Sequence, residues 1–378
     1  MIDRRICFFN INKICSENTG GIRRFIELYQ YALSSEKSVD LYATDTQKEF
    51  TEKGFQGKTL ICGGRSLIKI PSYEIYQSNR DLLKAIKNEK YDEIIAFDVP
   101  SVFVLTFNGI KKVNFFIRQD FIAYRLIEYS NMGMNKWNMW LRLLLGWMME
   151  SICIRRSDRI ISQCKYDLEA LKKRHPLLTR RIENISAIQI NNINPSWIEK
   201  DKYSLSDNIE KEYDIIYVGN FDDSRKGHDL LLTAVESLFD KGYMYKVLMV
   251  GGGDHLKEYQ DKYNGIVTFT GKADRPSKYI VKSRLMIVPS HADSCPNTVL
   301  EALYYNVPVI GSRIGGIPEI LNNPDWTFEL NVESLLKKIH EILGQNRLNE
   351  IKEGQKRRAE ELTFDWGKKI FDLLNTDN

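Results

Sequence analysis

Apolar residues in this chain fall into short unbroken runs, separated by longer stretches in which they recur at helical spacing. The runs Arg5 to Ile11, Val39 to Thr44, Lys58 to Cys62, Ile94 to Phe97, Lys112 to Ile117, Arg159 to Gln163 and Ile188 to Ile193 predict strands. Helical periodicity covers Ile22 to Leu33, Tyr73 to Lys87, Asn135 to Arg156 and Tyr166 to Lys173. Several strand runs are continuously apolar, which suits a parallel sheet covered on both faces. The pattern starts again after a turn-rich stretch, Asn191 to Ser196, and a polar one, Glu199 to Lys211. Strands are expected at Tyr213 to Gly219, Lys246 to Val250, Val267 to Thr270, Leu285 to Val288 and Pro308 to Ile310. Helices are expected at Asp229 to Leu238, after Pro296, at Leu335 to Leu343, at Leu348 to Glu361 and from Phe364 to Leu374. The reading is α/β, two doubly wound Rossmann-like domains over residues 1–197 and 198–362, with a closing helix in 363–378.

Composition narrows this little. A chain of 378 residues is long for a single core, and 43% hydrophobic with 28% charged residues is the balance of a globular protein. A net charge of +4, with no basic array interleaved with aromatics, gives no argument for nucleic acid. The six cysteines are scattered without a C-x2-C pair and the five histidines make no H-x3-H pattern, so reduced thiols and no metal site are expected. No apolar run reaches 18 residues, and Ile6 to Phe9 is too short for a signal h-region.

Candidate chemistry gathers in the second half. The strand ending at Val288 is followed by a loop bearing Asp293, then Pro296, suited to a helix's first turn, and a helix carrying Glu301. A helix N-terminus at the carboxyl end of a parallel strand binds anions, so the amides of Asn297, Thr298 and Val299 suit a diphosphate. Glu301 can accept two hydrogen bonds from a ribose diol, and Asp293 stands near whatever the diphosphate carries. The earlier strand ends in Gly219-Asn220, and Arg225-Lys226-Gly227 precedes the next helix, a second phosphate-binding arrangement. Gly20-Gly21 after the first strand reads equally as a plain turn or as a loop that lets backbone approach a ligand.

Asp293-x7-Glu301, Pro308-Val309 and Gly315-Gly316-Ile317-Pro318-Glu319 together resemble the retaining glycosyltransferases of family 4, which have the GT-B fold. That resemblance implies two Rossmann-like domains facing a cleft. It also implies sugar transfer from a nucleotide diphosphate sugar, with retention and without a metal or other cofactor. It assigns Lys226, helped by Arg225, to the diphosphate, Glu301 to the ribose and Asp293 to the donor sugar. Gly20, Gly21 and Gly219 would face the donor phosphates, and Lys272 the base. This chain departs from the family at three points: Asp293 stands for the usual Glu, Asn220 for an Arg, and Gln119 for a His. Gln119 cannot titrate, which leaves Arg118, Gln119 and Asp120 as sugar or acceptor contacts. The resemblance is specific from about Asp214 to Ile320 and looser elsewhere.

Three questions stay open at this point. The same fold also suits a nucleotide-sugar epimerase, and the three departures suit a catalytically silent binding or scaffold subunit. The stretch from Met134 to Arg156 holds Trp137, Trp140 and Trp147, four methionines in Met134, Met139, Met148 and Met149, and interspersed Lys136, Arg142, Arg155 and Arg156. It reads either as a core helix or as an interfacial one. The second alternative makes this a cytoplasmic protein at the inner face of the membrane, acting on a lipid-linked saccharide.

Overall fold

In the computed structural model, residues 4–15, 20–36, 38–61, 71–198 and 209–376 are described. Cys62, the last residue of the strand expected from Lys58, and most of the polar stretch Glu199 to Lys211 lie outside them. The chain forms two compact units, Met1–Gln189 with Asp365–Asn378, and Ile190–Phe364.

The first unit is built on strands β1 (Arg5–Phe9), β2 (Ser38–Ala43), β3 (Lys58–Thr59), β4 (Glu93–Phe97), β5 (Val113–Ile117), β6 (Arg159–Ser162) and β7 (Ser186–Ile188). Their order is β3-β2-β1-β4-β5-β6-β7, and the neighbouring pairs are parallel. Burial is nearly complete along β4 and β5, hence their apolar runs. An aromatic chain knits sheet to helix: Phe8 meets Phe25 edge-on at 5.6 Å, Phe25 meets Phe97 at 5.2 Å, and Phe97 stacks on Phe116 at 4.9 Å. The C-terminal helix Trp366–Asn375 belongs to this unit and packs on the helix Gly20–Ser35. Trp366 is buried there beneath the Arg24 guanidinium, and Tyr31 packs on Phe371.

The second unit holds β8 (Tyr213–Val218), β9 (Val247–Val250), β10 (Val267–Phe269), β11 (Ser283–Val288), β12 (Val309–Ser312) and β13 (Thr327–Phe328), in the order β10-β9-β8-β11-β12-β13. Its neighbouring strands are also parallel. In both sheets the strand order reverses beside the first strand, between β1 and β4 and between β8 and β11. Doubly wound sheets bind ligands outside the carboxyl ends of the strands at that reversal.

Several local expectations are corrected. Gly20 and Gly21 are the opening residues of the helix Gly20–Ser35, not loop. The single helix expected over Tyr73 to Lys87 is two, Pro71–Ser78 and Arg80–Asn88, because buried Asn79 turns its side chain onto backbone groups at Ile61 and Ile75. The strand expected at Ile188 to Ile193 is Ser186–Ile188, preceded by a helix, Thr179–Ile185. Pro296 is the cap residue of the helix Asn297–Tyr304, just outside its first turn. The helix after Leu335 ends as a π-turn, His340–Gly344.

Candidate donor and acceptor sites

In the second unit the site is built by two loops, one leaving β8 and one leaving β11. After Gly219 the chain folds back on itself, with Asn220 Oδ1 accepting from the Asp222 amide at 3.0 Å. The turn Ser224–Lys226 is capped by Asp223 and ends at Gly227, in the left-handed region at φ 67°. Gly227 is needed twice over: a side chain there would be strained, and its Cβ would overlap the Pro289 carbonyl, standing 2.8 Å from the carbon. That close approach lets the His291 amide donate to the Arg225 carbonyl at 2.7 Å, bolting the loops together.

The bolt brings Lys226 and Asp293 into contact across 67 residues of chain, with Lys226 Nζ donating to Asp293 Oδ2 at 2.6 Å. Asp293 is itself fixed. Its Oδ1 accepts from the Cys295 amide at 3.2 Å, and its carbonyl from the Gly316 amide at 3.0 Å. Gly315, at φ 60°, leaves no room for a Cβ against that carbonyl. The Gly315-Gly316 pair thus holds the acidic loop from the far side.

Arg225 does not stand ready for an incoming anion. It forks onto Asp223, with Nε to Oδ1 at 2.9 Å and Nη2 to Oδ2 at 2.7 Å. Asp222 accepts from the Asp254 amide at 2.8 Å and from His255 Nδ1 at 3.2 Å, tying the loop after β9. No side chain caps the helix Asn297–Tyr304. The Val299 amide is spent on the Pro296 carbonyl at 3.1 Å, so of the three amides expected to face an anion, Asn297 and Thr298 keep that position. Glu301 is half-buried one turn on. Lys272 is exposed, with its Cα and Cβ beside Gly252 in the loop after β9. Behind the loops, Tyr217, His228 and Ser290 each keep a buried polar atom without a hydrogen-bond partner. Burial pushes the Tyr217 phenol up and the His228 imidazole down, so both are neutral.

In the first unit, Arg118 follows β5, pairs with Asp98 at the end of β4 and lies over the Phe97 ring. Gly21 packs against its guanidinium so closely that a Cβ would collide with it. Gly21 therefore admits Arg118, while residues 16–19 fall outside the described residues. Asp120 caps the helix Phe121–Asn131 through the Ala123 amide and accepts from Arg174 Nη1 at 2.6 Å. Arg174 also forks onto Glu150, 2% exposed, at 3.1 Å on each oxygen. His175 Nε2 closes the network on Glu150 at 2.8 Å. Burial works against the Arg174 charge, but Glu150 and Asp120 more than offset it and push its pKa up. Gln119 lines a small cavity of mixed character, whose polar side is made by Asp98, Asp120, Glu150, Asp167 and Arg174. Asp98, Glu150, Arg174 and His175 escaped the sequence reading, since nothing in their spacing announces contacts made between separate elements.

The Trp-rich helix runs Lys136–Arg156, capped by Asn135. Its C-terminal part buries Glu150, Ser151, Cys153 and Ile154. Its N-terminal part does not enter a core: Trp137 is 80% exposed and Trp140 57%. Leu141, Leu144, Leu145 and Met148 continue the exposed apolar surface at helical spacing. No helix among the described residues is long and apolar enough to cross a membrane.

Residues 212–345 match the model of the glycosyl transferases group 1 family. N-acetyl-alpha-D-glucosaminyl L-malate synthase of Bacillus anthracis is 26% identical over 195 residues, 47% of this chain and 49% of that protein. A Campylobacter jejuni enzyme, GalNAc-alpha-(1->4)-GalNAc-alpha-(1->3)-diNAcBac-PP-undecaprenol alpha-1,4-N-acetyl-D-galactosaminyltransferase, is 25% identical over 46% of this chain and 52% of its own. The match thus spans about half the length of these curated relatives. Among solved structures, sucrose-phosphate synthase from Thermosynechococcus elongatus has a TM-score of 0.72 at 15% identity, covering 98% of both chains. HepE of Anabaena in complex with UDP has a TM-score of 0.68 at 14% identity, covering 98% of this chain and 99% of that one. The fold is GT-B, two parallel α/β units, and together with the family match it supports a GT-B glycosyltransferase.

Proposed function

We propose that this protein is a retaining glycosyltransferase that moves a sugar from a nucleotide diphosphate sugar to a hydroxyl of a lipid-linked saccharide, in the synthesis of cell-surface polysaccharide. The observation that carries the donor half is the meeting of Lys226, Asp293 and the uncapped helix Asn297–Tyr304 at the strand-order reversal of the second sheet. Lys226 and the helix amides stabilise charge developing on the leaving diphosphate. Glu301 takes the ribose diol and Asp293 a donor sugar hydroxyl. The reaction runs without a metal, and the leaving phosphate takes the acceptor proton during front-side attack. HepE was solved with UDP, which supports a nucleoside diphosphate ligand for this fold. On the acceptor side, Arg118, Gln119 and Asp120 follow β5 at the carboxyl edge of the first sheet, one strand beyond its reversal between β1 and β4.

The acceptor half rests on the exposed tryptophans. Trp137 and Trp140 stand edge to face at 6.1 Å, with Lys136 and Arg142 beside them. Between Phe121 and Met149 the chain has three cations, Arg125, Lys136 and Arg142, and one acid, Glu128. An apolar surface rimmed by cations suits the headgroup region of an anionic bilayer, where lipid-linked acceptors lie. The name of the Campylobacter relative includes a PP-undecaprenol acceptor, which agrees with this. The protein then works at the inner face of the cell membrane as a peripheral protein. Vesicle flotation tests it. Wild type should float with anionic vesicles at low salt, less so at high salt, and Trp137→Ala with Trp140→Ala should lower binding at least tenfold. Wild type that stays unbound at low salt refutes the membrane reading and leaves a water-soluble acceptor.

A further inference from the structure

The two cations of the β8 loop are each held by a carboxylate: Arg225 by Asp223, Lys226 by Asp293. The family's usual arginine is absent, since Asn220 is neutral and its side chain is folded back on Asp222. The turn therefore presents an incoming diphosphate with hydrogen-bond donors but no net positive charge. Asp293 is held in this pairing through both its side chain and its backbone. One of its oxygens and its carbonyl are held by the Cys295 and Gly316 amides, and Gly315 packs against its backbone. Lys226 need not leave either, because an ammonium has three donors and Asp293 takes one.

We propose that Asp293 is an electrostatic counterweight to Lys226, one that stays in place when the nucleotide binds and limits the hold on the nucleoside diphosphate product. This rests on the donor reading given above. The carboxylate keeps Lys226 aimed at the leaving group while cancelling much of its long-range attraction. Transition-state stabilisation is then obtained by direction, and the charged product is not trapped. Two consequences follow. Nucleoside diphosphate binding to wild type depends weakly on salt. Removing the carboxylate charge tightens that binding.

Isothermal titration calorimetry with UDP, ADP, GDP and inorganic pyrophosphate, at low and high salt, tests both consequences. Asp293→Asn keeps an oxygen for the Cys295 amide and is the main variant; Asp293→Ala is the second, with circular dichroism confirming both are folded. The expected result is roughly tenfold tighter binding of the preferred diphosphate in both variants, a cautious figure for one unit charge a few ångströms away near a protein surface. The salt dependence of both variants should also be steeper than that of wild type. Wild type that binds a diphosphate while neither variant binds more tightly overturns the counterweight and leaves the donor reading standing. Wild type that binds none of the four probes overturns both.

Discussion

The fold and the site meet most sharply at Gly227, and replacing it with alanine separates two costs. The first is conformational: a non-glycine residue at φ 67° pays about 1–2 kcal/mol for the left-handed region. The second is steric. The new methyl overlaps the Pro289 carbonyl, and backbone on both sides leaves no flexible side chain to give way. The loops must part by roughly 1 Å, which breaks the His291–Arg225 hydrogen bond, worth about 0.5–1.5 kcal/mol net. The total is about 1.5–3.5 kcal/mol of stability. Lys226 is the neighbouring residue, so the same shift moves its ammonium relative to Asp293, and a 1 Å misplacement can cost on the order of a hundredfold in rate. Gly242→Ala is the control, because Gly242 has φ 83° and open space where the methyl would go. It should lose only the conformational part and keep full activity. Urea unfolding and donor turnover, measured on both variants, decide the matter. If Gly227→Ala is as mild as Gly242→Ala in stability and in rate, the claim that this contact sets the site is wrong.

Lys226→Ala should lower kcat more than donor affinity, because leaving-group charge grows toward the transition state, whereas Arg225→Ala should be milder, since Arg225 is committed to Asp223. Steady-state kinetics showing Arg225→Ala as the worse lesion would reverse these roles. Arg174→Ala should destabilise the first unit by roughly 3 kcal/mol, because it leaves buried Glu150 without its guanidinium and uncouples Asp120. Thermal melting with an unchanged midpoint would refute that.

The doubly wound pattern was legible because buried parallel strands must be apolar throughout, and the acid-bearing loop, helix, strand and glycine turn from Leu285 to Glu319 lie consecutively in the chain. Helices were harder where their own residues argue for something else. Asp98–Phe107 carries three valines and a proline, and its first residue sits at φ 66°, so the chain passes from β4 into the helix with no intervening loop. Phe121–Asn131 has no buried residue and hence no apolar stripe to betray it. In the site, spacing pointed to Lys226 and Asp293 separately, with different duties. Their contact depends on a left-handed glycine and a shared carbonyl, which one-dimensional spacing does not encode. The same holds for Arg225, whose partner two residues earlier is apparent only once the turn is formed. The Trp-rich helix was ambiguous because core and interfacial helices share a composition, and exposure alone separates them.

The central claim is transfer from a nucleotide diphosphate sugar, and NMR of the anomeric proton during turnover tests it most directly. The purified protein, a panel of such donors and a lipid-linked saccharide fraction should yield a nucleoside diphosphate and, in equal amount, a glycoside with the donor's anomeric configuration. Lys226→Ala should suppress both. Inverted product would contradict retention, an epimerised donor without transfer would make the protein an epimerase, and donor binding without turnover would make it a silent nucleotide-sugar-binding subunit.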